Sequence, residues 1–153
     1  MITIWNTTKL KEKLMNKSLT EGHAFAYFFA ILIYDYIGFT FGYMGLNGQE
    51  PNVWIKTNIY AALALTFFGV LYVFWCNGAT KGEQFFNRYF SLSVVVGIKF
   101  AILMLGLPIL VDLATSGEAY NMFPWLGSAM FICLNILMFV FIGKHIKSVA
   151  YAT

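Results

Sequence analysis

Two residues of opposite charge stand alone inside apolar runs of this chain: Asp35, between Tyr34 and Tyr36, and Lys99. A charge in the middle of a membrane-length apolar stretch costs at least a few kcal/mol unless it is paired, solvated or neutralised. Two kinds of chemistry answer that cost. Either the two side chains form a buried salt bridge that fixes helix register, or they line a path for a proton, an ion or a substrate. Thr66 and Asn135 are the mid-run polar residues of the two other apolar stretches. With Asp35 and Lys99 they make a candidate intramembrane polar layer.

The rest of the chain offers little chemistry. No nucleophile stands beside a base, and there are no paired carboxylates. Cys76 ends one apolar run and Cys133 lies well inside another, so their heights differ and neither has metal-ligand spacing. His23 and His145 flank the first and last runs, as interfacial polar residues do. The segment Gly78–Glu83 lacks the G-x-x-x-x-G-K-[ST] pattern of a phosphate loop, so Lys81 and Arg88 read as basic residues at a lipid headgroup interface, together with Lys144 and Lys147. The expectation is a protein that is not an enzyme, with no metal, no cofactor and no nucleic-acid partner.

The elements that hold these residues follow from composition. Apolar residues are 59% of the chain and charged ones 11%, against about a quarter charged in soluble proteins. That composition describes an integral membrane protein. The expected fold is all-α, a polytopic four-helix transmembrane bundle with short loops. The spans lie at about 24–46, 54–76, 89–111 and 125–143, each near the roughly twenty residues a bilayer requires. Residues 1–17 form a basic segment that lies on the membrane surface or stays disordered, with Trp5, Leu10 and Leu14 sharing one side of any helix. Residues 18–147 carry the spans, and 148–153 form a tail.

Three matches to the S/T-x-x-E capping box mark helix starts: Ser18–Glu21, Thr80–Glu83 and Thr115–Glu118. Asn47-Gly48 with Pro51, and Asn77-Gly78, mark turns. Gly106 and Pro108 predict a kink near the end of the third span. Trp54, Tyr60, Tyr72 and Trp75 form interfacial belts at the two ends of the second. Lysine and arginine placement sets orientation. Lys9, Lys11, Lys13, Lys17, Lys81, Arg88, Lys144 and Lys147 fall on one side, and Lys56 alone falls on the other. Both termini are then cytosolic, as in a bacterial inner membrane.

Counting from the start of each span puts Asp35 and Lys99 at similar depth, about 15–17 Å in. Gly38 and Gly42 share the face of Asp35 as a G-x-x-x-G, and Gly45 continues the line, so a partner helix can come close there. Two functions fit. The first is a small membrane component that works by assembly, with itself or with other membrane proteins in the lipid bilayer. The second is a small ion- or proton-coupled channel or transporter that uses the Asp35/Lys99 layer.

Overall fold

The computed structural model describes the backbone of residues 5–44 and 52–152, and their side chains except those at 21, 34–44, 120 and 121. Every element there is helical: α1 (Thr7–Met15), α2 (Glu21–Met44), α3 (Val53–Cys76), a 3-10 turn (Ala79–Lys81), α4 (Phe85–Ala114), α5 (Glu118–Met122) and α6 (Leu126–Ala150). By length and composition α3, α4 and α6 are each able to cross a bilayer, as an integral membrane protein requires. In α2 the part with described side chains, Gly22–Ile33, is apolar and shorter.

Local chemistry sets the helix ends. The Asn6 side chain accepts from the Lys9 amide at 3.0 Å, and Asn52 accepts from the Ile55 amide at 2.9 Å. Both are N-caps that satisfy orphan amides of the first turn. The Ser18–Glu21 box divides its work. Thr20, rather than Ser18, meets the start of α2, where its backbone carbonyl accepts from the His23 and Ala24 amides. Ser18 instead closes α1 by donating its hydroxyl to the Lys13 carbonyl at 3.1 Å. At Thr80–Glu83 the chain makes only the short 3-10 turn, and α4 starts at Phe85. At Thr115–Glu118 the expected short helix forms as α5. α4 runs as one helix through Gly106 and Pro108.

Packing follows a simple order. α3 packs on α6, α6 on α4, and α4 on α2, while α1 packs on both α4 and α6. α3 and α6 run parallel. Ser128 donates to the Trp54 carbonyl at 3.4 Å near their starts, and Gly143 meets Tyr72 and Cys76 near their ends. Glycine is required along this contact. A Cβ at Gly69 would lie 2.5 Å from the Phe139 ring, and one at Gly143 would strike Tyr72. Small residues let the two backbones come close.

The tight core sits toward one end. Leu10 and Leu14 of α1 are fully buried with Leu92 and Val95 of α4 and Ile142, Ile146 and Val149 of α6. Where these side chains lie within the bilayer, close packing rather than escape from water holds them together, since lipid tails are as apolar as leucine. That end also gathers the end of α1, the end of α3, the start of α4 and the end of α6, and with them Lys17, Lys81 and Arg88. It is called the basic end below. The far end holds the start of α3, the end of α4, α5 and the start of α6.

Candidate functional site

Register between helices decides whether the polar residues meet. The Phe28 and Phe90 rings lie 5.0 Å apart, and farther along Ile31 and Ile33 share a cavity with Val94 and Ile98. α2 and α4 therefore run parallel. Seven residues past Phe28 and Phe90 are positions 35 and 97, so the backbone at 35 is level with Gly97, half a turn from Lys99. The Asp35 side chain, with Gly38 and Gly42, lies outside the described side chains, and Gly45 lies outside the described residues.

Lys99 is exposed, and its ammonium donates to Thr7 Oγ1 at 2.9 Å. Its known partner is thus the first turn of α1. The Phe100 and Phe141 rings lie 5.7 Å apart, which sets Lys99 level with the end of the apolar part of α6. Asn135 is six residues back along α6, about 9 Å along the axis. It donates Nδ2 to the Phe131 carbonyl at 2.9 Å, on its own helix. The described contacts do not bring Lys99 and Asn135 together.

Thr66 reaches a different place. It lines a cavity of about 390 Å³ among α2, α3, α4 and α6, together with Ile31, Ser93, Gly97 and Phe139. The lining is apolar apart from Thr66, Ser93 and the Tyr89 hydroxyl. The Ser93 hydroxyl is buried there without a hydrogen-bond partner.

The basic residues divide in two. Lys144 and Lys147 are exposed on the last turns of α6. Burial, and then the Lys144 charge, pulls the Lys11 ammonium below its ordinary value. His145, beside Phe141 at 6.5 Å, sits within reach of Lys11, Lys99 and Lys144, with its Nδ1 buried and unbonded.

Lys81 and Arg88 instead line a cavity of about 540 Å³ at the basic end, with Lys17, Asn77, Glu83 and Tyr151. Arg88 is only 3% exposed. Its Nη1 donates to Asn77 Oδ1 at 2.8 Å, while its Nε has no partner. Asn77 Nδ2 in turn donates to the Glu83 carbonyl at 3.2 Å. The Glu83 carboxylate is taken by Lys17 at 2.9 Å, and that hydrogen bond holds it below the usual carboxylate range. The loop closes tightly around Asn77. A Cβ at Gly82 would strike the Asn77 carbonyl oxygen, and Gly78 turns at φ +93.

Sequence reading took Arg88 for an interfacial cation and gave Asn77 only a turn. The signal for their contact was the spacing of eleven residues across a glycine-bounded loop, which brings the end of one helix to the start of the next. The two cysteines are free thiols, and among the described residues no three His, Cys, Asp or Glu side chains gather as a metal site. No family model, no curated protein and no solved structure matches the chain.

Proposed function

We propose that this is a small integral membrane protein with four spans, α2 being the fourth, that works by assembly rather than by catalysis. It acts as a homo-oligomer or as an accessory subunit of a membrane complex. Its basic end faces the cytosol of a bacterial inner membrane, with both termini on that side. The gathering of Lys17, Lys81 and Arg88 at one end supports the orientation.

One observation carries the assembly reading: α3 is an edge helix. Its close backbone packing among the described residues is on α6, with the Phe74 ring reaching Phe85 of α4 at its end, and only 11% of its apolar window is buried, against 28% for α6. Leu63, Phe67 and Phe68 are all exposed along it. A helix of this kind offers a long apolar side to another membrane helix. Mass measurement after gentle extraction from the native membrane tests this. A multiple of the chain, or a mass that includes other proteins, is expected, and a monomer overturns the reading. Leu63→Cys, in a chain with Cys76 and Cys133 removed, locates the contact: cross-linking in the membrane places it on α3.

A second reading has its own observation. The α2–α4 register sets the backbone at 35 level with Gly97, within about one turn of Lys99 on the adjacent helix, which supports it. A proton or ion path would use Asp35 and Lys99. Proteoliposome flux separates the two readings. Transport requires flux in the wild type and its loss in a folded Asp35→Asn, Lys99→Gln chain, whereas the assembly reading expects both proteins to be silent in flux and equal in complex mass.

A further inference from the structure

The buried guanidinium at the basic end has no carboxylate bonded to it, and the anion that acts on it, Glu83, does so only through space. Arg88 is 3% exposed, its one bonded partner is the neutral Asn77 amide, and its Nε has no partner. The single carboxylate on the cavity wall, Glu83, is bound to Lys17. A buried cation that shares its one nearby carboxylate with another cation is costly unless a further anion comes to it. We propose that the cavity formed by Lys17, Asn77, Lys81, Gly82 and Arg88 is a binding site for a phosphate-type oxyanion.

Three further features fit that ligand. Guanidinium presents paired donors that match a phosphate, and Lys81, exposed on the same wall, adds a second cation. α4 begins at this cavity with Gln84 at its N-cap position and no side-chain cap. The positive end of the dipole of a thirty-residue helix therefore lies between the lining residues Glu83 and Arg88. Gly82 keeps the wall thin, because any Cβ would collide with the Asn77 carbonyl.

Size and place say which phosphate. At about 540 Å³ the cavity is larger than a bare phosphate needs. It opens at the end of the apolar helices, where a phospholipid headgroup lies. The ligand of choice is an anionic phosphodiester headgroup, with free phosphate as the other source of the same chemistry. The inference stands apart from what the protein assembles with.

The test uses the full chain, stripped of lipid in detergent, with phosphatidylglycerol, phosphate-free diacylglycerol or inorganic phosphate added. Native mass spectrometry counts what stays bound. Phosphatidylglycerol is expected to be retained well above diacylglycerol. Lys81→Gln, an exposed change that leaves the fold intact, weakens retention about tenfold, the value of one charged contact of about 1.4 kcal/mol. Arg88→Gln lowers retention to the diacylglycerol level. Lys144→Gln, at the same end but outside the cavity, leaves it within about twofold. Displacement of the lipid by millimolar inorganic phosphate supports the oxyanion site and assigns it to the free anion. Equal retention of the two lipids overturns the proposal, as does equal loss in Lys81→Gln and Lys144→Gln. If Arg88→Gln does not fold, the Lys81/Lys144 contrast decides alone.

Discussion

The two ends of the molecule are built differently. At the basic end four elements converge, the buried residues of α4 all fall between Arg88 and Phe100, and the loop around Asn77 leaves no space for a single added carbon at Gly82. At the far end the same long helices carry their apolar side chains outward: Leu105, Ile109, Leu110 and Leu113 of α4 are all exposed. The difference comes from α1, which packs on α4 and α6 at one end only. Apolarity alone therefore does not make a core in such a chain. A second layer of protein does, and where it is missing, lipid or a partner helix must cover the surface.

Leucine truncation should show the contrast at its largest. Leu14→Ala at the basic end is expected to cost about 2–5 kcal/mol, as buried truncations do. Leu113→Ala at the far end should cost within about 0.5 kcal/mol, as exposed changes do. Denaturant unfolding in one detergent measures both, and equal losses would erase the distinction between the ends. Glycine substitution comes next. Gly82→Ala should cost about 1–3 kcal/mol by overpacking against the Asn77 backbone. Gly106→Ala has nothing within 4 Å of its new carbon, and at a helix position it should stabilise by up to about 1 kcal/mol. Opposite signs in the same unfolding assay are the expected outcome.

The smallest effect belongs to the exposed Lys17–Glu83 pair. Because Lys17 holds the folded Glu83 carboxyl below its ordinary value, the contribution is present above the unfolded carboxylate value and fades as pH falls through the folded one. Wild type and Glu83→Gln should therefore differ slightly near neutral pH and converge in acid. Added salt should shrink the difference. A gap that persists in both conditions would mean that Glu83 acts through something other than Lys17.

Much of the fold was legible. The second span was read at 54–76 and α3 is Val53–Cys76; the third falls inside α4, and the fourth, read at 125–143, starts at the N-cap of α6. Long apolar runs between turn residues carry that information directly. The role of α1 was legible only by half. Its spacing marked Leu10 and Leu14 as one face, and they are buried, while Trp5, assigned to the same face, is exposed. An amphipathic pattern names the face but not the surface it will meet, which here is protein. The Asn77–Arg88 contact was hidden for a related reason. Neither residue breaks a local rule, and only the close turn of the loop brings amide and guanidinium together. Depth counted along each helix brought positions 35 and 99 to within about a turn, while the Phe100–Phe141 contact sets Lys99 level with the end of the apolar part of α6.

The docking of α1 also has a consequence for synthesis. α1 rests against α6, which is made more than a hundred residues later, and it is tied to the middle of the chain at Thr7–Lys99 and Lys17–Glu83. At about 5–20 residues per second, the interval between Leu10 and Ile146 is on the order of ten seconds. Through that time Leu10 and Leu14 have no permanent seat. α1 must therefore wait on the membrane surface or on a chaperone, and the basic end closes only once α6 has been made.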